Sequence, residues 1–370
     1  MNNPICDQKI KYAEVQPRKP PTNIGNGDSL HDGPTNTAST SHPHPNMLPS
    51  AFERGQISTK VKLVSAPMVG RGEHRSGWPH ALRSLVPIVS QNGVLLDDFV
   101  ERSFAYGKPM AAHTRPWVGI FHHPPNMPSF YFAGHRPQEL FRSQWWLHNS
   151  PSLRLAIALT DYLAEYLRET LSVPVAVVRH PTVIPNLRFS AEAFRKNPCK
   201  RLVQIGWYLR NTRCIHQLPE LPGFVRTRLM TRGRTITYYD AQMAQYWRTF
   251  SSRREYEGVE TIPRVSDTEY DLLLSRNVAF AEYFDASASN LVVECLARNT
   301  PIVTNRHPAL VEYLGAEYPL FFDRLEDVPN LLSESTVLRA HECLAARDKS
   351  FLDGGVFCRQ IASEISRIAA

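Results

Sequence analysis

The stretch Glu282-Tyr283-Phe284-Asp285-Ala286-Ser287-Ala288-Ser289-Asn290-Leu291-Val292-Val293-Glu294 combines residue types that can hold an anion and a pair of hydroxyls. The apolar run Val278-Ala279-Phe280-Ala281 reads as a strand ending near Glu282. Small residues follow, and a helix opens at about Ser289-Asn290. Small side chains let the backbone approach a ligand, and the unpaired amides of a first helical turn, with the helix dipole, favour a phosphate. Ser287, Ser289 and Asn290 would add donors. Glu294, about one turn further in, can accept hydrogen bonds from both hydroxyls of a ribose. The same residues admit a plain structural reading, with Ser289 as an N-cap and Glu294 as an acid answering the dipole.

A second concentration of polar chemistry is basic. From Arg195 to Arg234 ten Lys and Arg stand against one acid, Glu220, a local charge of +9 compared with +7 for the whole chain. Such a block attracts nucleic acid, an anionic membrane face or a phosphorylated small molecule, or is simply a solvated surface. Two weaker signals lie earlier in the chain. The loop Gly70 to Gly77, with Gly72, Glu73, Ser76 and Gly77, sits between a strand and a helix and could fold over a phosphate or an acceptor, although it lacks the full dinucleotide fingerprint. His122 and His123 close the apolar run Trp117–Phe121, where one imidazole could face a cleft and take a proton near neutral pH. His123 is the preferred base, because His122 continues the alternation of Val118 and Ile120 and suits a buried structural role. Asp161 opens a helix and reads as its cap; Asp285 and Glu73 are the remaining candidate acids.

Positioning these groups requires a particular succession of elements. Strands are expected at 61–66, 94–96, 117–121, 155–159 and 175–178, with helices over 81–89 and 161–170 between them. A second series begins at Leu202-Val203-Gln204-Ile205-Gly206. It continues with helices near 241–250, 267–274 and 290–297 and strands at 278–281 and 301–304. Strand and helix in alternation mean parallel sheets covered by helices. The fold class is therefore α/β, with two Rossmann-like doubly wound domains facing a cleft, over 59–182 and 183–370, the last helix free to pack back on the first domain. Ligands of such sheets lie beyond the carboxyl ends of the strands. Residues 1–58, with eight of the 29 prolines in the first 50 positions, read as a disordered tail, and His42 and His44 in it are given no metal role.

A length of 370 residues with 42% hydrophobic content suits two ordinary domains. No apolar run approaches the ~18 residues of a membrane span. The amino terminus lacks a secretory pattern, which points to the cytoplasm. Six cysteines without a C-x-x-C spacing argue against a disulfide scaffold and structural zinc, and all six are read as reduced thiols. No Asp-x-Asp is present at a strand end to hold Mg²⁺ or Mn²⁺; Asp97-Asp98 has the wrong spacing.

The segment Asp285 to Tyr318, with ECLARNTPIV and PALVEYLGAEYP, resembles the carboxyl-terminal domain of GT-B-type glycosyltransferases that use nucleotide-sugar donors. RLVQIGWYLRN at 201–211, SGW at 76–78, WVGIFHHPP at 117–125 and ALTDYLAEYLRETLSVPVAVVRHPT at 158–182 extend the resemblance over about 60–370. It implies two glutamates eight positions apart in retaining members, the second on the donor ribose. Glu294 matches the second; the first falls on Ala286, with Asp285 displaced by one. It also implies a basic pair on the donor diphosphate, for which Arg210 and Arg213, after Gly206, are the matching positions.

The expected activity is transfer of a sugar, hexosyl or related, from a nucleotide-diphosphate donor to a hydroxyl of a glycan, lipid or small molecule. The partners are then a nucleotide sugar and a hydroxyl-bearing acceptor, with no cofactor, no metal and no nucleic acid. The basic block is compatible with peripheral membrane contact. The alternative from another class is a catalytically silent GT-B protein that binds a nucleotide sugar, a glycan or a partner, for which the missing glutamate argues.

Overall fold

A computed structural model describes residues 59–64, 77–105, 113–131, 135–230, 240–241, 243–246 and 254–369. The tail 1–58, the loop residues Gly72, Glu73 and Ser76, and half of the helix expected over 241–250 (242 and 247–250) lie outside the described residues. Two parallel sheets carry the fold. The first consists of β1 (Val61–Leu63), β2 (Val94–Asp97), β3 (Trp117–Phe121), β4 (Leu153–Ala158) and β5 (Val175–Val177), paired in that spatial order. The second consists of β6 (Arg201–Ile205), β7 (Val225–Leu229), β8 (Glu260–Ile262), β9 (Val278–Ala281), β10 (Ile302–Asn305) and β11 (Phe321–Phe322), in the order β11-β10-β9-β6-β7-β8. Its order reverses between β6 and β9, and a doubly wound sheet opens a crevice at that point.

Burial explains why these runs are strands. Every residue of Trp-Val-Gly-Ile-Phe in β3 and of Val-Ala-Phe-Ala in β9 is buried, as expected for parallel strands covered on both faces. One face of the first sheet, with Leu96, Val118, Ile120 and Ile157, packs against Leu85 and Ile88 and against Phe357, Ile361 and Ile365 of the terminal helix Gly354–Ala369. The other face, with Trp117, Phe121 and Ala156, packs against Phe104, Trp146, Leu163 and Leu167.

The differences from expectation have local causes. The helix expected over 81–89 spans Gly77–Ser84, because Pro79 is tolerated in a first turn, and a short 3-10 turn, Val86–Ile88, replaces its end at Pro87. Strand β7 was not expected, since Val-Arg-Thr-Arg-Leu reads as basic block; its arginines are buried in the sheet. Cys214, Cys295, Cys343 and Cys358 are free thiols, but the reading of all six as reduced fails at Cys199, which is disulfide-bonded. No helix among the described residues is long and apolar enough to cross a membrane.

Candidate functional site

The crevice at the β6/β9 reversal is a cavity of ≈ 940 Å³. Gly206, Arg210, Asp285, Ser287, Ser289, Asn290 and Glu294 line it from the second sheet, and His122 and Pro124 from the first. Its floor is made by the turn that follows β6. Gly206 at φ 82° and Leu209 at φ 52° are both left-handed, a conformation glycine adopts freely and leucine rarely. The turn is held by Arg210 N–H donating to Trp207 O at 3.2 Å, by Phe284 N–H donating to Leu209 O at 2.9 Å, and by an antiparallel bridge between Arg210 and Tyr283.

That backbone delivers one guanidinium to the crevice. Arg210 donates from Nη1 to Ile205 O at 3.2 Å and from Nη2 to Ser289 Oγ at 3.1 Å, and its charge lies 4.9 Å from the centroid of Tyr283. It lies directly over Gly206: a Cβ at that position would stand 1.5 Å from Nη1. Ser289 also shares a 2.6 Å hydrogen bond with Tyr283 and caps the helix Asn290–Arg298 by accepting from Val292 N–H. The cap and ligand readings of Ser289 are therefore compatible. Nε of Arg210 and Oγ of Ser287 are buried without a hydrogen-bond partner among the described residues, at the mouth of the same helix. Buried donors left open in this way are costly unless a ligand accepts from them. Gly77, at the start of the helix Gly77–Ser84, approaches from the first sheet; a Cβ there would lie 3.0 Å from Nδ2 of Asn290.

Glu294 sits deeper in the same cavity, 6% exposed. Its Oε2 accepts from the Tyr270 hydroxyl at 2.6 Å, and burial together with this carboxylate pushes the Tyr270 phenol well above its ordinary range. Arg298, one turn further on, donates to Asp271 from Nε and Nη2 and to the main-chain carbonyl of Glu294. Tyr270 was not legible as a site residue, since twenty-four positions separate it from Glu294 and it reads as one apolar residue of a helix.

Three of the expected residues stand elsewhere or are otherwise engaged. Arg213 is ion-paired with Glu255 and does not line the cavity. His123 is buried and donates from Nδ1 to His135 O at 2.7 Å, whereas His122, expected to be the buried partner, lines the cavity. The preference for His123 rested on strict strand alternation, but β3 ends at Phe121, before either histidine. His122 directs Nε2 at Asp98 O, 2.9 Å away, which fixes the proton on that nitrogen; burial lowers its pKa to about 3, and lowers that of His123 to about 4. Both imidazoles are neutral. Their amides donate to Oε1 of Glu101 at 2.8 Å each, and burial raises the Glu101 carboxyl to about 7.

Asp285 lines the cavity with its carboxylate fully engaged. Oδ2 accepts from Asn126 N–H at 2.6 Å; Oδ1 accepts from the Tyr162 hydroxyl at 3.0 Å, His307 Nε2 at 2.9 Å and Ala286 N–H at 2.9 Å. It ties the first half of the fold to the second. Glu312 does the same, accepting from Asp161 N–H at 2.8 Å, Tyr162 N–H at 2.7 Å and Arg179 at 3.1 Å, so the start of the helix Asp161–Thr170 is answered by an acid from across the chain. Asp161 itself is the first helical residue; the cap is Thr160.

The basic block divides in the same way. Arg195 pairs with Glu334, Lys196 with Glu192, Arg201 with Glu260, Arg213 with Glu255 and Arg228 with Asp240, while Arg226 donates to the carbonyls of Leu218 and Glu257. Among the described residues of the block, Arg210 is the one that lines the cavity.

No family model matches the chain, and no curated protein matches it. Solved structures do. HepE from Anabaena, in complex with UDP and glucose, aligns at TM-score 0.51 with 13% identity over 68% of this chain and 72% of that one. A trehalose 6-phosphate synthase from Burkholderia multivorans aligns at TM-score 0.51 with 11% identity over 79% and 74%, and a sucrose-phosphate synthase from Thermosynechococcus elongatus at 0.50 with 10% over 75% and 73%. The chain thus shares the GT-B fold of these nucleotide-sugar glycosyltransferases.

Proposed function

We propose that the crevice binds a nucleoside-diphosphate sugar and that the chain transfers the sugar to an acceptor hydroxyl. The observation that carries this reading is the pair of open, buried donors, Arg210 Nε and Ser287 Oγ, at the amino-terminal end of the helix Asn290–Arg298, with the Glu294 carboxylate one turn deeper. A diphosphate at the helix mouth and a ribose on Glu294 satisfy both ends of that arrangement. In the transfer, the bond from the sugar C1 to the diphosphate oxygen breaks and the acceptor oxygen bonds to C1. Arg210 and the helix amides meet the charge that develops on the leaving group, an arrangement that needs no metal. Nε2 of His122 carries its proton toward Asp98 O and the Asp285 carboxylate is engaged by four donors, so the departing phosphate oxygen is the natural recipient of the acceptor proton.

The engagement of Asp285 with four donors, together with Ala286 beside it, favours a second reading: a GT-B protein that binds the nucleotide sugar without turning it over. Incubation with UDP- and GDP-sugars, with and without EDTA, separates the two. Release of free nucleoside diphosphate that is insensitive to EDTA supports the metal-independent enzyme; retention of a nucleotide sugar with no release under any acceptor supports the binding protein.

A further inference from the structure

The donor reading above, on which this inference rests, leaves open what holds the Glu294 carboxylate in place. Glutamate has three rotatable bonds, and a carboxylate that must meet two adjacent hydroxyls gains from being fixed before the ligand arrives. Arg298 is the nearest cation in sequence, but its hydrogen bonds go to Asp271 at 2.9 and 2.7 Å and to the main-chain carbonyl of Glu294 at 3.2 Å. The Tyr270 hydroxyl bonds the carboxylate itself, at 2.6 Å. Tyr270 is 0% exposed, and it comes from the helix Asp267–Leu274, whose start is fixed by the reciprocal capping box of Ser266 and Glu269. The Arg298 guanidinium, 5.5 Å from the ring centroid, holds the phenol from the other side. The hydroxyl therefore reaches Oε2 from a rigid support, with its proton toward the carboxylate.

We propose that Tyr270 is a positioning residue for the donor ribose: its hydroxyl pins Oε2 of Glu294 so that the carboxylate meets the ribose hydroxyls, making the crevice selective for ribonucleotides over deoxyribonucleotides.

The test is calorimetric titration of the full chain with UDP, GDP, ADP and their 2′-deoxy and 3′-deoxy counterparts. Wild type is expected to prefer the ribonucleotide by about tenfold or more over the deoxy form. Tyr270→Phe keeps the ring and removes only the hydroxyl; it should lower that ratio by about fivefold while deoxynucleotide affinity stays within about twofold. In a Glu294→Gln background, where the preference is already lost, Tyr270→Phe should change the ratio no further, a non-additivity that a general packing defect would not produce. Glu294→Asp is the second variant, should Tyr270→Phe not fold: it leaves Tyr270 in place but withdraws the carboxylate from its hydroxyl, and it should lose the same preference. A wild-type ratio retained in folded Tyr270→Phe, or in Glu294→Asp, overturns the role of Tyr270 and leaves the donor reading standing. Absence of binding of UDP, GDP and ADP alike by wild type overturns the two together.

Discussion

Removing the charge of Arg210 is the perturbation with the most direct consequence for the donor diphosphate. Arg210→Met retains much of the stem that covers Tyr283 and takes away the guanidinium. In the protein that group makes bonds of 3.2 and 3.1 Å to Ile205 O and Ser289 Oγ, and its Nε is buried without an acceptor. A diphosphate would accept from Nε and from the guanidinium edge beside it. Hydrogen bonds to charged groups contribute roughly 1.5–3 kcal/mol each, so losing one or two weakens nucleoside diphosphate by about 3 kcal/mol, on the order of 10²-fold. A nucleoside without phosphates should bind as before. Gly206→Ala reaches the same end by a different route, because its Cβ would stand 1.5 Å from Nη1 and force the intact guanidinium aside. At φ 82° that substitution also costs about 1 kcal/mol of stability, which lowers Tm without altering the contrast between the two ligands. Titration of wild type and both variants with UDP and uridine, or GDP and guanosine, reads the effect. Equal losses for nucleoside and diphosphate, or an unchanged diphosphate affinity in folded Arg210→Met, would refute the placement.

Further expectations follow from the neighbouring contacts. Arg213→Met should leave nucleotide affinity unchanged and cost only about 0–1 kcal/mol, since its pair with Glu255 is partly exposed; a drop in affinity like that of Arg210→Met would restore it to the donor site. Glu312→Ala leaves the amides of Asp161 and Tyr162 unanswered and should cost about 1–3 kcal/mol in denaturant unfolding, with no loss expected if these amides find water instead. Stability should fall as pH drops from 6.5 toward 4, because His122, His123 and His180, ordinarily near 6.5, are lowered by burial to about 3, 4 and 4 and take up protons only on unfolding. Glu101, raised from 4.5 to about 7, contributes stability that is present at low pH and lost as pH rises through about 7, so it opposes that trend. Glu101→Gln should accordingly show a steeper fall of Tm on acidification than wild type; an identical slope would mean that Glu101 titrates normally.

Periodicity made most of the sheet legible, because parallel strands buried on both faces are short apolar runs and the helices between them keep a 3.6-residue stripe. The helix Asp267–Leu274 and strand β9 stand where the pattern puts them. Strand β7 was hidden by its arginines, whose partners lie outside the strand: Asp240 pairs with Arg228, and the carbonyls of Leu218 and Glu257 accept from Arg226. A charge run cannot show its partners, so ten basic residues read as one patch when, among the described ones, five are ion-paired and one lines the cavity. At the site, spacing within one element was informative: Ser287, Ser289, Asn290 and Glu294 lie within eight positions and share a cavity. Contacts between elements were not. The engagement of Asp285 by Asn126, Tyr162 and His307, and of Glu294 by Tyr270, join positions with no common period. The order of His122 and His123 failed for a related reason, since β3 stops at Phe121 and alternation no longer governs which side chain turns inward.

The central claim, that the crevice is a nucleoside-diphosphate-sugar site built on Arg210, is tested most directly by native mass spectrometry of the full chain mixed with UDP-, GDP- and ADP-sugars. Wild type should retain at least one of them with one-to-one stoichiometry, and Arg210→Met should retain none under the same conditions. Retention of none by wild type, or equal retention by the two proteins, would contradict the account.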